Sequence, residues 1–513
     1  MTRRNYNTHM PRRLAILFLL LALVAAGALL VMQPNPAAYA PAAAPRTPLV
    51  TSYLPLVNRE ALIADLPSLQ ASEFGFELRW HPEAGLFVGD QLSLEVIAPP
   101  GMELAGSLLE VSLAGQALGS GEFWPYGLAG RNQATLTWFW DTADLDPGHY
   151  ALTFRVSPEG PAWQEIIFLH PAEALAEEFQ GAAWAEARSA CCVVHYVTGT
   201  AAERDLPTIL QTLDRQAELA ALRMSLDFIE PIPIVLLPRV LGHGGFTSRE
   251  IAISYLDRNY ANNDLAQVAL HEMTHLLDDR LNPHSRPTLL VEGLAVYVSR
   301  GHYKPEPLLA RSAALLALDR YMPLLPLADD FYPSQHEIGY MQAGALVQFL
   351  VESYGWRPFF DFYGDVELSG YPSQSAAISA ALQRHFGLDF AALEQSFLAE
   401  LQRRPLPPDL LDDVRLTVAY YDAVRRYQQA LDPSAYFLTA WLPDPEQMRQ
   451  RGIVADYLRH PESPRSIELE TRLVEAGQAL RQGRFPEAEL LVAQVHHLLD
   501  RLDLPGFSEQ TAY

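Results

Sequence analysis

Cysteine is almost absent from this chain: two of its 513 residues are cysteines, and they are neighbours, Cys191 and Cys192. Adjacent Cα atoms lie about 3.8 Å apart, which is below the usual range for disulfide-bonded cysteines. The sequence therefore predicts two small buried apolar side chains with no bridge between them. So few cysteines also exclude a fold held together by disulfides and a metal site built from thiolates.

Positive charge is scarce as well. The chain has 37 lysines and arginines against 61 aspartates and glutamates, for a formal net charge of −24. This excess of negative charge repels phosphate backbones and anionic lipids, so we expect no nucleic-acid partner for the folded part. Phosphate-binding Gly-x-x-x-x-Gly-Lys loops, dinucleotide fingerprints and Gly-x-Ser-x-Gly elbows are missing too. The sequence thus carries no sign of nucleotide-dependent or serine-hydrolase chemistry.

What the chain does have is a His-Glu-x-x-His pattern at residues 271–275, followed by Glu292. Residues four apart on a helix project from the same face, so the imidazoles of His271 and His275 can reach one metal ion. Glu272 lies beside the first of them and can act as a general base on water. Glu292, on the next predicted helix, can supply a third ligand. Three protein ligands with one open position are typical of catalytic zinc, so the sequence predicts one Zn²⁺ ion.

The residues around this pattern resemble the gluzincin metallopeptidases, specifically the peptidase MA-like group. The Glu-Gly-Leu-Ala run at residues 292–295 is similar to that group's third-ligand segment. The runs at residues 244–246 and 251–255 are similar to the loop and edge strand before its zinc helix. Residues 340–355 are similar to the helix that follows the third ligand. The likeness covers roughly residues 183–404.

The resemblance implies an α+β metallopeptidase core that uses one Zn²⁺ ion to cleave a peptide or protein substrate. It gives Tyr340 the role of donating a hydrogen bond to the oxyanion, with Tyr297 and His336 as alternatives. His284 competes with Glu292 for the place of third ligand, although its Pro-rich surroundings are typical of a surface loop. The Gly-x-Met-Glu-Asn signature of the aminopeptidase branch is missing, so we expect an endopeptidase.

Two acids, Asp278 and Asp279, end the predicted zinc helix. Negative charge at a helix C-terminus opposes the helix dipole, which hints at a special role such as orienting a ligand imidazole. A solvated surface pair is the commoner structure at a helix end, and we expect that one here.

The amino terminus has the pattern of a membrane signal. Arginines precede an uncharged apolar run at residues 14–32, and no acidic residue occurs before Glu60. A helix over this run would be roughly 28 Å long, close to the hydrocarbon thickness of a bilayer. We therefore predict a signal anchor or signal peptide at residues 1–33, which contacts the membrane while the bulk of the chain is extracytoplasmic. The protein would be a single-pass protein of the cell membrane, or secreted if a signal peptidase cleaves after Ala40.

Composition divides the rest of the chain into four predicted parts. Residues 34–70 are rich in Pro and Ala, as in an extended linker. Residues 71–170 alternate apolar and polar side chains over short runs, which predicts an all-β, immunoglobulin-like sandwich. Residues 171–404 mix strands and helices, as the metallopeptidase domain requires. Residues 405–513 are predicted to be all-α, with a helical hairpin over residues 468–499.

These features together predict an exported zinc metallopeptidase. We expect its active cleft between an edge strand near Ile253 and the helices, with an extended substrate pairing with residues 251–255. One alternative is a non-catalytic extracytoplasmic scaffold that keeps a peptidase-like core. Another is a zinc hydrolase that acts on a different bond. The intact Glu272 favours an enzyme over a scaffold.

Overall fold

The computed structural model describes residues 70–501 apart from a few short gaps, which are residues 128–129, 243, 283, 303, 333–335, 442–443 and 461. The predicted signal anchor at residues 1–33 and nearly all of the predicted linker lie outside the described residues. Among the helices of the described part, none is long and apolar enough to span a bilayer.

The region before residue 171 consists of two five-stranded sheets. The first has the order β1 (Gln70–Ala71), β2 (Glu77–His81), β4 (Gln91–Ile97), β8 (Arg131–Asp141), β7 (Trp124–Tyr126), with antiparallel pairs throughout. The second has the order β3 (Leu86–Phe87), β10 (Ala162–His170), β9 (Gly148–Ser157), β5 (Leu108–Leu113), β6 (Gln116–Glu122), with β3 and β10 parallel.

The two sheets share one apolar core, because alternate residues of each strand point inward. Leu94 of β4 and Phe154 of β9 are both fully buried in it. Along β10 buried and exposed residues alternate, as the sequence pattern predicts. The predicted sandwich is thus present as two packed sheets, and its immunoglobulin likeness stays a prediction.

A third sheet follows in the region predicted to be the peptidase core. Its order is β11 (Trp184–Arg188), β12 (Cys192–Val197), β13 (Ile232–Leu237), β15 (Ile251–Ser254), β14 (Gly245–Thr247). Strands β12, β13 and β15 are mutually parallel, and β11 and β14 run antiparallel to their neighbours. Ile234 and Leu236 of β13 pack on one side of the sheet, and Val235 and Leu237 pack on the other. Burial on both faces explains why β13 is a continuous apolar run.

The prediction that residues 251–255 form the edge strand is wrong. Strand β15 lies inside the sheet, because the chain first forms β14 and then turns back at residues 248–250 to pair with it. The exposed edge next to the zinc helix is therefore β14. Strands β14 and β15 are too short to show a clear alternation of apolar and polar residues. The sequence therefore did not indicate which of the two is at the edge of the sheet.

The prediction for the two cysteines is also wrong. Cys191 and Cys192 are joined by a disulfide, with their Cα atoms 3.7 Å apart. Cys191 lies just before β12 and not within it, so the rule that neighbouring strand residues point to opposite faces does not separate the two sulfur atoms.

The helices of the central region begin with α1 (Ala201–Arg204) and α2 (Leu206–Met224), which connect β12 to β13. After the sheet come α3 (Leu265–Leu281), α4 (Thr288–Ser299), α5 (Leu308–Ala317), α6 (Leu324–Asp329), α7 (His336–Tyr354), α8 (Trp356–Gly364), α9 (Gln374–Phe386) and α10 (Phe390–Gln402). Helix α3 contains the whole predicted metal motif and begins after Asp264, whose side chain accepts a hydrogen bond from the Gln267 backbone. This cap satisfies one of the free N–H groups at the helix start.

The last part of the described chain is helical, as predicted. It contains α11 (Pro408–Leu431), α12 (Pro445–Arg451), α13 (Ala455–Leu458), α14 (Pro464–Arg481) and α15 (Phe485–Asp500). Helices α14 and α15 form the predicted hairpin. They share a core with α11 and with Val240, Tyr260 and Ala261 from the loops that follow β13 and β15. The C-terminal helices therefore pack directly against the loops beside the metal motif.

Candidate metal centre

His271 and His275 lie one turn apart on the same face of α3, as the motif spacing requires. Their ring centroids are 4.7 Å apart. His271 Nε2 and His275 Nε2 approach to 3.1 Å. Two imidazole nitrogens this close repel each other if both carry a proton or if both present a lone pair. A single shared proton or a bound cation between them removes the repulsion.

Glu292 comes from the adjacent helix α4 and completes the triangle. Its Oε2 is 3.2 Å from His271 Nε2 and 3.3 Å from His275 Nε2. The exposed fractions of His271 and Glu292 are 6% and 7%. The structure thus brings these three predicted ligands together, with one donor atom of each within 4.8 Å of the others.

The donor set fits a zinc ion. Nitrogen and oxygen ligands lie about 2.0–2.2 Å from Zn²⁺, so the donors of a tetrahedral site are about 3.3 Å apart or slightly more. The observed separations of 3.1 to 3.3 Å match that spacing. Two imidazoles and one carboxylate are also the donor types of open zinc sites, which leaves a fourth position for a water molecule or a substrate oxygen.

The charges of the triangle are strongly coupled. Burial lowers the pKa of His275, but the neighbouring Glu292 carboxylate more than offsets this and raises that pKa to about 9. Burial would raise the pKa of Glu292, yet the charge on His275 and the hydrogen bonds from both imidazoles hold it well below its usual value. Burial also keeps the pKa of His271 below its usual value. The carboxylate therefore stays ionised in a place where it needs a positive partner.

Glu272 lies next to the triangle and lines the same cleft. Its side chain is 6% exposed. Thr247 of the edge strand β14 donates a hydrogen bond from Oγ1 to Glu272 Oε2 at 2.6 Å. The hydrogen bond fixes one carboxylate oxygen on the strand, so the orientation of the other oxygen is fixed as well. Glu272 is thus held as a general base needs to be held, close to the metal position and facing the cleft.

Gly245 allows the edge strand to come this close to α3. A Cβ atom at this position would lie 2.4 Å from Val268 Cγ1 and 3.1 Å from Glu272 Oε1. The first distance is a clash, and the second would press on the carboxylate. The absence of a side chain at residue 245 therefore sets the spacing between β14 and Glu272.

Tyr332 and Tyr340 surround the far side of Glu292. The phenol of Tyr332 donates to Glu292 Oε1 at 2.8 Å, and Tyr340 also hydrogen-bonds Glu292. Burial, followed by the charge of Glu292, raises the pKa of both phenols above the usual value, so both remain donors at neutral pH. Tyr340 was predicted from the resemblance. Tyr332 was missed, because a lone tyrosine in a loop has no pattern that marks it.

Two of the alternative residues, His284 and Tyr297, lie away from the metal motif. His284 is exposed and does not line the cleft, so it does not compete with Glu292 for the metal. Tyr297 lines a separate cavity, next to Trp356. The side chain of His336 lies outside the described residues.

A third histidine, His302, reaches the site without having been predicted. Its ring stacks on Tyr340 with centroids 4.0 Å apart, and it contacts His271 edge to face at 5.6 Å. Its Nδ1 lies 2.9 Å from Oε2 of the fully buried Glu337. His302 follows α4 in a loop, so nothing in the local sequence relates it to the motif on α3. Only the turn of the chain after α4 brings it there.

The prediction of a solvated acid pair at the end of α3 is wrong for Asp278 and agrees with the structure for Asp279. Asp278 is 1% exposed. Arg286 donates to Asp278 Oδ1 at 2.7 Å, and the Tyr363 phenol donates to Oδ2 at 2.5 Å. Asp278 therefore joins α3, the following loop and α8. Asp279 is exposed at the mouth of the cleft.

The cleft around the motif has a volume of about 490 Å³. One wall is β14 with the loop before it, and another is α3 with α4. The remaining wall comes from the C-terminal region, with Tyr421 of α11 and with Phe437 and Ala440 from the segment that follows α11. The site is therefore assembled from segments more than 100 residues apart, and its last wall belongs to a part of the chain for which the sequence predicted no role.

Comparison with known proteins adds little to this picture. No protein-family model matches the chain, and a comparison with the curated proteins finds no match. Several solved structures are similar at low identity. A crystal structure of an M1 zinc metallopeptidase from Deinococcus radiodurans is 15% identical, with a TM-score of 0.29 over 64% of this chain and 94% of that one.

The second structure is a two-domain M1 zinc metallopeptidase bound to L-tryptophan. It is 15% identical, with a TM-score of 0.26 over 64% of this chain and 94% of that one. An aminopeptidase N family protein from Idiomarina loihiensis is 10% identical, with a TM-score of 0.28 over 66% of this chain and 78% of that one. TM-scores this low do not establish a common fold, so the chemistry of the site has to follow from its own atoms.

Proposed function

We propose that this protein is a zinc metallopeptidase that hydrolyses peptide bonds. The observation that carries the proposal is the triangle of His271 Nε2, His275 Nε2 and Glu292 Oε2, with sides of 3.1 to 3.3 Å and Glu272 beside it. These residues would hold one Zn²⁺ ion, which when bound acts as a Lewis acid and makes water acidic enough to attack at neutral pH.

Glu272 takes the role of general base. Its hydrogen bond from Thr247 leaves one carboxylate oxygen to accept the proton of the attacking water. The same carboxyl group then donates that proton to the leaving amine. Tyr340 and Tyr332 remain protonated at neutral pH. Each phenol has a single O–H, so either one would stabilise the oxyanion by turning that O–H from Glu292 to the substrate oxygen.

The edge of β14 supports recognition of an extended substrate. The strand pairs with β15 on one side only and lines the cleft on the other. A peptide laid antiparallel along that edge would gain backbone hydrogen bonds with little demand on its sequence. This mode of binding and the missing amine-binding signature favour an endopeptidase.

Export remains part of the proposal. The apolar run at residues 14–32 with its arginine flank predicts that the folded part is extracytoplasmic, attached by one membrane pass or released after cleavage. Cell fractionation with protease protection of the full chain tests it. Resistance of the folded part to external protease in intact cells would contradict it.

The test of the catalytic assignment is Glu272→Gln. The amide keeps the shape of the side chain and its contact with Thr247, but it cannot accept a proton from water. We expect unchanged zinc content, measured by mass spectrometry of the metal, and a loss of peptide hydrolysis of about a thousandfold or more. Glu250→Gln is the matched control, because Glu250 is equally buried at 6% exposure but pairs with Arg449 at the turn before β15.

Hydrolysis by Glu272→Gln at the wild-type rate would refute the base assignment. Stoichiometric zinc without hydrolysis in any member of a broad peptide library would instead favour the scaffold alternative. Activity on esters or other bonds, but not on peptides, would favour a zinc hydrolase of another kind.

A further inference from the structure

His302 borders the cleft beside the metal motif. Its side chain is 17% exposed, and two contacts hold its ring. Nδ1 lies 2.9 Å from Oε2 of Glu337. The ring stacks on that of Tyr340, with the centroids 4.0 Å apart and the planes 12° apart. The imidazole therefore covers one face of a phenol ring whose hydroxyl hydrogen-bonds the candidate ligand Glu292.

Both residues that hold the ring belong to one face of α7. Glu337 and Tyr340 are three residues apart, so their side chains are neighbours on the helix surface. Glu337 is fully buried. An ionised carboxylate only accepts hydrogen bonds, so the Nδ1–H of His302 is the donor. A hydrogen bond to the first residue and a stack on the second fix both the place and the plane of the imidazole.

The backbone just before His302 is fixed by α3. Gln267 of that helix donates hydrogen bonds from Nε2 to the backbone oxygens of Ser299 and Gly301. A Cβ atom at residue 301 would lie 1.9 Å from the backbone oxygen of Lys304, so only glycine allows the chain to turn this tightly. The turn that brings His302 to the cleft is therefore tied to the helix that carries both candidate imidazole ligands.

The chain just after His302 is fixed by α11. Lys304 Nζ lies 2.8 Å from each carboxylate oxygen of Asp413. Arg311 of α5 donates to the same carboxylate at 2.8 Å, so two cations hold Asp413 in place. His302 thus lies between two attachment points, one on α3 and one on α11. The C-terminal region therefore helps to determine where the imidazole lies.

Tyr340 needs such support if it donates to the oxyanion. Its O–H turns about the C–O bond, from Glu292 to the substrate oxygen, while the ring sets the position of the phenol oxygen. Phe331 contacts that ring edge to face at 5.2 Å, and His302 covers its face. A displacement of about 1 Å at a reacting centre can cost about a hundredfold in rate. The contacts that fix the ring therefore bear directly on catalysis.

We propose that His302 is a positioning residue, which holds the phenol of Tyr340 where its O–H reaches the oxyanion. The proposal rests on the peptidase function above. It also assigns oxyanion stabilisation to Tyr340 and not to Tyr332. His302 acts through the tyrosine, and it contacts neither the reacting carbonyl nor the zinc ion.

A double-mutant cycle tests the proposal. We expect Tyr340→Phe to lower kcat about a hundredfold to a thousandfold, the usual effect of losing one oxyanion donor. His302→Ala should lower kcat about tenfold to a hundredfold with little change in KM, because the phenol acts mainly in the transition state. The double variant should be no slower than Tyr340→Phe alone, since no phenol hydroxyl remains to be positioned. A double variant slowed by the product of both effects would show that His302 acts independently, and would overturn the proposal.

The same cycle with Tyr332→Phe is the control. His302→Ala should slow the Tyr332→Phe chain by the same factor as it slows the wild type, because Tyr340 is still present in both. If the effect of His302→Ala instead vanished in Tyr332→Phe and persisted in Tyr340→Phe, the oxyanion donor would be Tyr332 and the proposal would be wrong.

His302→Phe separates the ring from the hydrogen bond. Phenylalanine and alanine both deprive Glu337 of the imidazole donor, so the difference between the two variants measures the stack alone. We expect kcat of His302→Phe to lie between those of the wild type and His302→Ala. Equal kcat values in the two variants would contradict a role for the stack. His385→Ala is the matched control: His385 pairs with Asp365 at 3.0 Å outside the cleft, and its loss should leave kcat unchanged.

Zinc content and unfolding temperature are measured on the same variants. The three candidate ligands lie on α3 and α4, so His302→Ala should keep one zinc ion per chain. A loss of zinc would mean that His302 acts on the metal, which contradicts the proposal. If His302→Ala does not fold, His302→Phe replaces it in both cycles, because it keeps most of the volume of the ring.

A transition-state analogue gives a readout that needs no turnover. An N-acetylated peptide of alanine and leucine, with a phosphonamidate in place of the cleaved bond, carries an anionic oxygen where the oxyanion would form. Its binding to the zinc-loaded chains is measured by calorimetry. We expect Tyr340→Phe and His302→Ala each to weaken binding about tenfold or more, and the double variant to bind no more weakly than Tyr340→Phe.

The outcomes separate the two proposals. Hydrolysis by the wild type that His302→Ala leaves unchanged overturns the positioning role and leaves the peptidase intact. Absence of hydrolysis, with phosphonamidate binding that depends on Tyr340 and His302 as one unit, supports the positioning role and overturns the peptidase. Absence of both hydrolysis and phosphonamidate binding overturns both.

Discussion

Two buried polar clusters in this protein hold their charges in different ways. At the metal centre, the donor atoms of His271, His275 and Glu292 point at one another across 3.1 to 3.3 Å. At the junction of the third sheet with the C-terminal helices, Arg239 donates to Asp432 at 2.9 Å and to Ser434 at 2.8 Å. In the first cluster, three atoms of metal-ligand type converge on a common point. In the second cluster, Arg239 is itself the cation that pairs with the Asp432 carboxylate.

The difference shows how a ligand site is distinguished from a structural ion pair. A buried charge is tolerated when it is paired and hydrogen-bonded. Arg239 has its counterion, Asp432, within the described residues, although its Nε makes no hydrogen bond there. At the metal centre the Glu292 carboxylate is also hydrogen-bonded, by two phenols and both imidazoles. Its positive partner, however, is a histidine, which can give up its proton when a cation binds. Donors that converge without a fixed cation indicate that the cation comes from outside.

The largest expected effect comes from Glu292→Gln, which removes the only anionic member of the triangle. We expect loss of bound zinc and of hydrolysis. At a thousandfold excess of zinc over its dissociation constant, bound metal stabilises the wild type by about 4 kcal/mol, and the variant should lose that stabilisation. Unfolding temperatures with zinc and with a chelator measure it. Full zinc content in Glu292→Gln would show that the third ligand is another residue.

Arg239→Met should have the second-largest effect, and on stability alone. It leaves Asp432 buried without its partner, which costs about 4 kcal/mol in comparable cases. Urea denaturation measures the loss, and zinc content per folded molecule should be unchanged. Arg204→Met is the control: Arg204 is 56% exposed and pairs with Asp205 and Asp257 at the surface, so its loss should cost no more than about 1 kcal/mol. Equal losses in the two variants would contradict the contrast between buried and surface pairs.

Asp456 lies near Arg239, and it should make the stability of this second cluster depend on pH. Both of its carboxylate oxygens are buried without a hydrogen-bond partner on any other described residue, and burial raises its pKa from the usual 3.8 to about 6. The folded state therefore binds a proton that the unfolded state has released between about pH 4 and pH 6, so stability falls as pH rises through that window.

Asp456→Asn removes this dependence. Above pH 7 we expect the variant to be more stable than the wild type by about 3 kcal/mol, the equivalent of roughly two pK units. Below pH 4 the difference should vanish, because the wild-type carboxyl is then protonated in both states. Denaturant unfolding across this range measures the difference between the two proteins, which cancels the titration of other groups. A constant difference at all pH values would refute the assigned pKa.

The smallest expected effect is that of Gly245→Ala. Its Cβ would meet Val268 and displace β14 from Glu272 by a few tenths of an ångström or more. We expect kcat/KM to fall about tenfold, which is about 1.4 kcal/mol of transition-state stabilisation. Zinc content should stay constant, because the three ligands lie on α3 and α4. Gly115→Ala is a control outside the cleft: no atom lies within 4 Å of the added Cβ, but the φ of +82° disfavours alanine, so we expect some loss of stability there. It should leave activity unchanged.

Local features of this chain could be predicted because they depend on neighbours in the sequence. The spacing of His271 and His275 determines that both face the same way once α3 forms. Alternation over short runs within residues 71–170 likewise predicts strands, and the predicted hairpin over residues 468–499 has a turn signal between two helical runs. Each of these elements is present at the predicted place.

Features that depend on pairing or packing over long distances were predicted wrongly or missed. The residues of β15 predict an edge strand, because nothing in them shows that β14 pairs with its outer side. Asp278 was taken for a solvated acid, although Arg286 and Tyr363 surround it in the fold. His302 reaches the site from a loop that has no motif, and its approach is visible only in three dimensions.

The sequence by itself determined which functional groups are available: two imidazoles and a general base on one helix, and an acid on the next. Side-chain direction along a helix follows from its period, so these residues were bound to share a face. Only the tertiary structure decided how near α4 comes to α3, which strand borders the cleft, and that α11 closes it. These distances and contacts result from apolar side chains of distant segments packing into common cores. The residues of one segment alone therefore do not predict them.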